Sequence, residues 1–322
     1  MPVENREGKL LHVLSWGGGT QSTALMLKML EDGEHLDYII FADTKNEPEM
    51  VYKQVYKIQK YVKEKYNKEI IITKKNKELI PDNEVVKRIK EGKIKKYRSS
   101  DYADLFQSHV LYFQGELNAI DSMPFWMRHE NGRVGKTPFK ACTGEYKIRQ
   151  IMVELRKQEG VKQFYKELDK IYMYIGFSND EIQRSKTGIL PYVQNTFPLI
   201  DKYNWSKQDC IDYVNKLLGF EPISSVCNMC YANSIDRVYS IFKNDKPSWD
   251  RLLVLDKAMD ESLGKTKFKT GKPFMFHWAA EENVRIYKLD FEDFYKKYKD
   301  KQKTRNLFDL ESELSCMGGC FV

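Results

Sequence analysis

Three consecutive glycines, Gly17, Gly18 and Gly19, constrain the fold of this chain more than any other feature. An apolar run at residues 10–14 leads into them, and residues 25–30 continue with apolar side chains at helical spacing. A strand, a glycine-rich turn and a helix in this order direct backbone N–H groups and a helix N-terminus at one place, which favours the binding of an anion. Because glycine has no Cβ, an oxyanion can approach this backbone closely.

The loop also carries polar side chains, and its spacing excludes two familiar phosphate-binding motifs. Ser15, Thr20 and Ser22 supply hydroxyl groups. A Walker A loop ends in Gly-Lys-Ser/Thr, but the first lysine after the glycines is Lys28. A dinucleotide-binding fingerprint spaces its glycines as G-x-G-x-x-G, whereas here they are contiguous. We therefore expect residues 15–22 to hold an anion with a different type of loop.

The composition is that of a globular protein. The 322 residues are 42% apolar and suffice for one large domain or two modest ones. The formal net charge of +7 suits anionic substrates or nucleic acid and does not distinguish between them. No apolar run has the length of a membrane span and residues 1–9 are polar, so we expect a cytoplasmic protein with no membrane partner. In a reducing cytoplasm the six cysteines are better interpreted as thiols or metal ligands than as disulfides.

The apolar pattern predicts alternating strands and helices in the first part of the chain. Strands are expected at residues 38–42, 70–73, 171–176 and 195–201, and helices at residues 49–65 and 147–157. This alternation is typical of an α/β protein with a Rossmann-like parallel sheet and helices on both faces. Ligands of such sheets bind at the carboxyl ends of the strands. Since Ser22, Asp43 and Phe177 follow expected strands, we expect them to meet at one pocket.

Two regions are expected, an α/β domain at residues 1–204 and a smaller, mainly helical region at residues 205–322. The polar residues 74–135 interrupt the alternation and are interpreted as an insertion or lid. Within this insertion, the segment Met123-Pro124-Phe125-Trp126 is expected to pack over a ligand.

The helical region has a recognisable first helix. Ser206 and Asp209 have the spacing of a capping box, and Gly219 is a suitable residue to end the helix. Cys210 shares the apolar face of this helix, so we expect it in the core rather than at a metal.

The glycine loop resembles the PP-loop of the ATP pyrophosphatase and sulfonucleotide reductase superfamily, usually written S-G-G-x-D-S. An extra glycine, and Gln21 in place of the aspartate, make it similar to the phosphoadenosine phosphosulfate (PAPS) reductase-like proteins often found in phages and mobile elements. This resemblance implies a PP-loop fold that binds an adenine nucleotide with its phosphates or phosphosulfate on the loop. The loop residues implied as nucleotide ligands are Ser15, Gly17, Gly18, Gly19, Thr20, Gln21 and Ser22.

Four further segments resemble the same family in the same order. They are F-A-D-T-K-N-E-P at 41–48, C-T-G-E-Y-K-I at 142–148, I-G-F-S-N-D-E-I-Q-R at 175–184, and a segment beginning F-P-L-I-D at 197. By this resemblance Asp43 and Thr44 lie beside the adenosine, although Lys45 stands where glycine is usual. The resemblance also implies that Lys147 and Arg184 clamp the anionic part of the ligand.

The cysteines predict a metal site whose identity the sequence leaves open. Cys227-x-x-Cys230 has the spacing of two ligands to one metal ion or cluster. The resemblance adds Cys142, and a fourth ligand is expected from Cys320, from Cys316 or from outside the chain. Ligation by thiolates alone suits a [4Fe-4S] cluster or Zn²⁺. The resemblance to redox enzymes favours the cluster, although the reductases that carry one have two adjacent cysteines where this chain has Cys142 alone.

The two C-terminal cysteines have a second interpretation. In sulfonucleotide reductases a cysteine near the C-terminus attacks the sulfate sulfur. The resemblance therefore implies that Cys316 or Cys320 is a catalytic nucleophile, and that Lys147 favours the reactive thiolate.

Three functions remain to be distinguished, of which the first two are implied by the resemblance. The first is a PAPS reductase-like enzyme that acts at a phosphosulfate or phosphoanhydride bond in sulfur reduction or transfer, with a thiol reductant where the reaction is reductive. The second is an ATP pyrophosphatase-type sulfurtransferase that uses Mg²⁺ and modifies nucleic acid, as in DNA phosphorothioation. The third is a nucleotide or redox sensor without catalysis in phage–host conflict. The oligomeric state is left open.

Overall fold

Five parallel strands form the central sheet in the computed structural model, which describes residues 6–44, 46–74, 125–136, 142–185, 190–261 and 271–303. The strands are β1 (Leu10–Trp16), β2 (Tyr38–Asp43), β3 (Ile70–Lys74), β6 (Lys170–Ile175) and β7 (Val193–Thr196). Their order in the sheet is β3-β2-β1-β6-β7. β1 pairs with β2 on one side, followed by β3, and with β6 on the other side, followed by β7. The direction in which successive strands are added therefore reverses between β1 and β6.

Helices cover both faces of this sheet, which confirms the expected parallel α/β architecture. Side chains of a strand alternate between its faces, and Leu14 and Val13 accordingly belong to different cores. The face of Leu14 packs against α1 (Thr20–Glu31), α2 (Glu49–Tyr66) and α5 (Lys207–Leu218). The face of Val13 packs against α3 (Arg149–Gln158).

The expected strand at residues 195–201 is wrong in its second half. β7 ends at Thr196, and Pro198–Asp201 forms a short helix, α4. Proline has no N–H and a fixed φ, which suits the first position of a helix and not a paired strand. Pro198 occupies that first position.

A second, antiparallel sheet brings together two distant parts of the chain. β4 (Trp126–His129) lies between β5 (Val134–Lys136) and β8 (Gly271–Phe274). Four helices share its core: α6 (Ile235–Asn244), α7 (Lys246–Glu261), α8 (His277–Glu282) and α9 (Phe291–Lys303). Residues 125–136 are therefore part of a folded core, whereas residues 75–124 of the expected insertion lie outside the described residues.

Phe125 and Trp126 do not cover a ligand site, so that prediction is wrong. Both rings are buried in the core of the second sheet. The indole Nε1 of Trp126 donates to the carbonyl of Tyr231 at 2.9 Å. Large aromatic side chains of this kind gain most from burial when the polar atom finds a partner.

The first helix of the C-terminal region confirms the sequence prediction and packs with the α/β sheet. Ser206 and Asp209 form the expected capping box, and Gly219 ends α5 with a left-handed φ of 69°. Cys210 is fully buried against α1 and α2. The chain after residue 204 thus contributes both to the core on the Leu14 face of the parallel sheet and to the core of the second sheet. Within the described ranges, no helix is long and apolar enough to cross a membrane.

Candidate functional site

A cavity of about 760 Å³ opens at the carboxyl end of the parallel sheet, beside the reversal in strand order between β1 and β6. Open α/β sheets bind their ligands at this position. Of the three residues expected to meet at one pocket, Ser22 and Phe177 line this cavity and Asp43 does not. The predicted site residues that line it are Ser15, Gly17, Gly19, Thr20, Gln21, Ser22, Lys147, Arg184 and Cys230.

The three glycines of the loop have different surroundings. Gly18 has a left-handed φ of 74°, and a Cβ there would lie 2.9 Å from Val55 Cγ2. A Cβ on Gly19 would lie 2.7 Å from the amide nitrogen of Ser225. For Gly17 the nearest described atom would be Ser22 Oγ at 3.5 Å. Gly18 and Gly19 thus allow close packing of the backbone, whereas Gly17 leaves room at the cavity wall.

The loop holds its shape through hydrogen bonds of its own. The amide of Gly17 donates to Ser22 Oγ at 3.1 Å, and this hydroxyl donates to the carbonyl of Gly19 at 3.3 Å. The first amides of a helix have no partner within the helix, and α1 has no side-chain cap and no acidic residue in its first turn. The positive end of the α1 dipole therefore faces the cavity at Thr20 and Gln21.

Four basic side chains line the cavity, and each comes from a different element. Lys147 lies in a π-helical turn, Gly144–Ile148, that runs directly into α3. Arg184 ends a 3-10 turn after β6, Lys207 is the first residue of α5, and Arg237 is the third residue of α6. Turns of the π type are frequent at functional sites. The cavity can therefore attract and hold an anion through several cations at once.

Glu181 is the carboxylate between two of these cations, Arg184 and Lys207. Arg184 forms an ion pair with it, and the side-chain amide of Gln21 donates to it at 3.2 Å. Burial raises the pKa of Glu181, while the charges of Arg184 and Lys207 act in the opposite direction. Arg184 also lies over the ring of Phe177 at 4.5 Å. This cluster, named here the Glu181 group, consists of Glu181, Arg184 and Lys207.

Glu47 is the carboxylate that interacts with the other two cations, Lys147 and Arg237. Its side chain is fully buried and accepts hydrogen bonds from the hydroxyls of Ser225 at 3.1 Å and Thr44 at 3.2 Å. Burial raises the pKa of Glu47, and the charge of Lys147 lowers it. Burial lowers the pKa of Arg237, and the charge of Glu47 raises it. This cluster, named here the Glu47 group, consists of Glu47, Lys147 and Arg237.

Three of the expected nucleotide ligands do not line the cavity. Gly18 packs against α2. Asp43 accepts a hydrogen bond from the hydroxyl of Tyr52 at 2.8 Å, and Thr44 is buried with its hydroxyl on Glu47. Near the carboxyl end of β2, it is Ala42 that lines the cavity.

Of the four described cysteines, Cys142, Cys227 and Cys230 belong to the region of the Glu47 group, whereas Cys210 lies in the core under α5. Cys230 is buried and lines the cavity, and its amide donates to the carbonyl of Cys227 at 3.0 Å. Burial raises the pKa of Cys227, and the charges of Glu47 and Cys142 add to this effect. Cys142 and Cys227 pack, partly buried, against the same core as Cys230.

The metal site remains a prediction. Among the described residues, no three His, Cys, Asp or Glu side chains form a group that could hold a metal ion. The described thiols alone therefore supply an incomplete ligand set. Cys316 and Cys320, expected as ligands or nucleophiles, lie outside the described residues, as does Lys45.

Glu47, Lys207 and Arg237 are not among the site residues expected from the sequence. A cation in the first turn of a helix is unfavourable near the positive end of the helix dipole. Lys207 and Arg237 both occupy such a first turn. This local conflict is the signal in the sequence that could have drawn attention to these two residues.

The chain was compared with protein-family models, with curated proteins and with solved structures. No family model matches it, and neither a curated protein nor a solved structure matches it.

Proposed function

We propose that the chain binds an adenine nucleotide and acts, like the PAPS reductase-like proteins that its sequence resembles, at a phosphosulfate or phosphoanhydride bond. The observation that carries this proposal is the glycine loop, which leads into the uncapped N-terminus of α1 at the wall of the cavity. Backbone amides and basic side chains fixed in this way stabilise negative charge, including charge that develops during a reaction.

The proposed roles of the residues follow from their positions. Gly17 and the first turn of α1 receive a phosphate or the phosphosulfate. Lys147 and Arg184 neutralise the anion from two sides of the cavity. Apolar side chains in the same wall provide a surface for the adenosine, and they are Ala42, Ile151, Ile175, Phe177 and Val226.

Calorimetric titration of the full chain with ATP, adenylyl sulfate and PAPS tests the binding. We expect saturable binding of at least one of them. No heat with any of the three overturns the proposed function.

The products then distinguish the three functions. Under anaerobic, reducing conditions, release of sulfite from adenylyl sulfate or PAPS identifies a sulfonucleotide reductase. Release of pyrophosphate from ATP with Mg²⁺ identifies the sulfurtransferase alternative, for which nucleic acid is the acceptor to test first. Binding with neither product identifies the nucleotide sensor.

A further inference from the structure

The cationic side chains of the cavity fall into two groups, and each group is connected to the glycine loop through a different residue. Gln21, in the first turn of α1, donates to Glu181 and connects the loop with the Glu181 group. Ser225, whose amide nitrogen would lie 2.7 Å from a Cβ on Gly19, donates through its hydroxyl to Glu47 and connects the loop with the Glu47 group. In each group one carboxylate interacts with two cations.

Arg237 is the member of the Glu47 group whose hydrogen-bonding capacity is left unused. Its Nε and Nη2 atoms are buried and have no hydrogen-bond partner among the described residues. The carboxylates whose charges reach it are Glu47 and Asp245. Glu47 accepts from Ser225 and Thr44, so the hydrogen bonds seen at this carboxylate come from other residues.

The carboxylate of Asp245 likewise accepts its hydrogen bonds from residues other than Arg237. Its oxygens accept from the amides of Ser248 at 3.1 Å and Met50 at 3.4 Å. The two carboxylates therefore compensate the charge of Arg237 while its Nε and Nη2 atoms remain without hydrogen-bond partners. Buried guanidinium N–H groups without partners cost free energy, and hydrogen bonds to an oxyanion in the cavity would remove this cost.

We propose that Arg237 binds a second anionic group of the ligand, separate from the one at the Glu181 side of the loop. This inference rests on the proposed function and deepens it, because it names Arg237 as a residue that determines specificity. The site then takes a nucleotide with a chain of at least two anionic groups, such as a diphosphate, a triphosphate or a phosphosulfate, and discriminates against a monophosphate. The glycine loop between the two groups holds the middle of that chain.

The test compares the affinities of the full chain for AMP, ADP, ATP and adenylyl sulfate. The wild type is expected to bind the last three at least about tenfold more tightly than AMP, as charge-assisted hydrogen bonds of this kind provide. In Arg237→Met this preference is expected to disappear while AMP binding changes less than about threefold. Arg133→Met is the matched control, because Arg133 is an exposed arginine that does not line the cavity.

A purely structural role of Arg237 would weaken the binding of all four nucleotides together, and that result overturns the inference. An unchanged preference in Arg237→Met overturns it as well, although the proposed function stands if the nucleotides bind. If no nucleotide binds to the wild type, the proposed function itself fails. Should Arg237→Met not fold, pyrophosphate and phosphate are compared as stabilisers of the wild type in thermal unfolding. Stronger stabilisation by pyrophosphate at equal ionic strength is expected, and equal stabilisation contradicts the second anion position.

Discussion

Gln54 and Ile223 are joined by two hydrogen bonds that connect α2 with the cavity wall. The side-chain amide of Gln54 donates to the carbonyl of Ile223 at 2.9 Å, and its Oε1 accepts from the amide of Ile223 at 2.7 Å. The same amide group also donates to the carbonyl of Gly18 at 2.8 Å. A single buried side chain thus fixes the glycine loop relative to the segment that follows α5.

Removal of this connection is expected to destabilise the protein and to weaken ligand binding. Gln54→Ala leaves buried backbone groups without partners, so we expect the free energy of unfolding to fall by about 3 kcal/mol. Gln59→Ala, on the same helix, removes one bond to the carbonyl of Ile70 and is expected to cost about 1 kcal/mol. Urea unfolding and nucleotide titration measure both effects. Equal losses in the two variants would contradict a special role of Gln54.

The glycine loop tolerates a methyl group at one position and not at another. In Gly19→Ala the new Cβ meets the backbone of Ser225, so we expect a loss of about 1–3 kcal/mol of stability from overpacking. Gly17→Ala has room for its Cβ, so its stability is expected to change by less than about 1 kcal/mol. Because Gly17 lines the cavity, its variant is nevertheless expected to bind nucleotide more weakly. Thermal unfolding and titration separate the two effects, and a stable Gly19→Ala with normal binding would refute this description of the loop.

The expected sheet and the observed one agree where the sequence pattern is local. Strand and helix periodicity identified the elements around β1, β2, β3 and β6, and the position of the pocket followed from them. The second sheet was not foreseen, because β4 and β8 are short and pair only through contacts between distant parts of the chain. Such strands have no distinct pattern of their own.

The residues of the site, like the strands, were predicted only where the sequence pattern is local. Local motifs pointed to the glycine loop, Lys147 and Arg184, and all of these except Gly18 line the cavity. Glu47 and Arg237 gain their roles only from burial and from each other's charge. Their environment is created by the tertiary fold, which the order of residues along the chain does not reveal directly.

Asp256 is expected to make stability depend on pH in the second core. Burial raises its pKa to about 6, from 3.8, although Arg285 acts in the opposite direction. The native state therefore holds the proton more tightly than the unfolded state. The contribution of Asp256 to the free energy of unfolding is largest below about pH 4, and it decreases by about 3 kcal/mol as the pH rises to about 6. Asp256→Asn lacks this dependence. Urea unfolding at several pH values should therefore show that the free energy of unfolding of the variant rises relative to that of the wild type between pH 4 and pH 7.

Asp169 is the matched control for this measurement. Burial alone would raise its pKa, but hydrogen bonds from Arg6 and from the amides of Tyr165 and Lys9 hold the pKa below its usual value of 3.8. Its contribution is therefore complete above about pH 4 and is lost only at lower pH. Asp169→Asn is expected to destabilise by a nearly constant amount between pH 5 and pH 7. If Asp256→Asn behaved in the same way, the buried carboxyl would not hold its proton as described.

The predicted metal site can be tested through two cysteines in contrasting positions. Cys227 lies beside Glu47 and Cys142, next to the cavity, whereas Cys210 is buried under α5 with a thiol pKa raised to about 12 by burial. We expect Cys227→Ala to lower the iron or zinc content of anaerobically purified protein, because it removes one of few thiolate ligands. Cys210→Ala is expected to retain the metal, since a core thiol holds none. Analysis of iron, sulfide and zinc with an absorption spectrum distinguishes a cluster from Zn²⁺. A wild-type protein without either metal, or equal losses in the two variants, would show that these cysteines serve only the core.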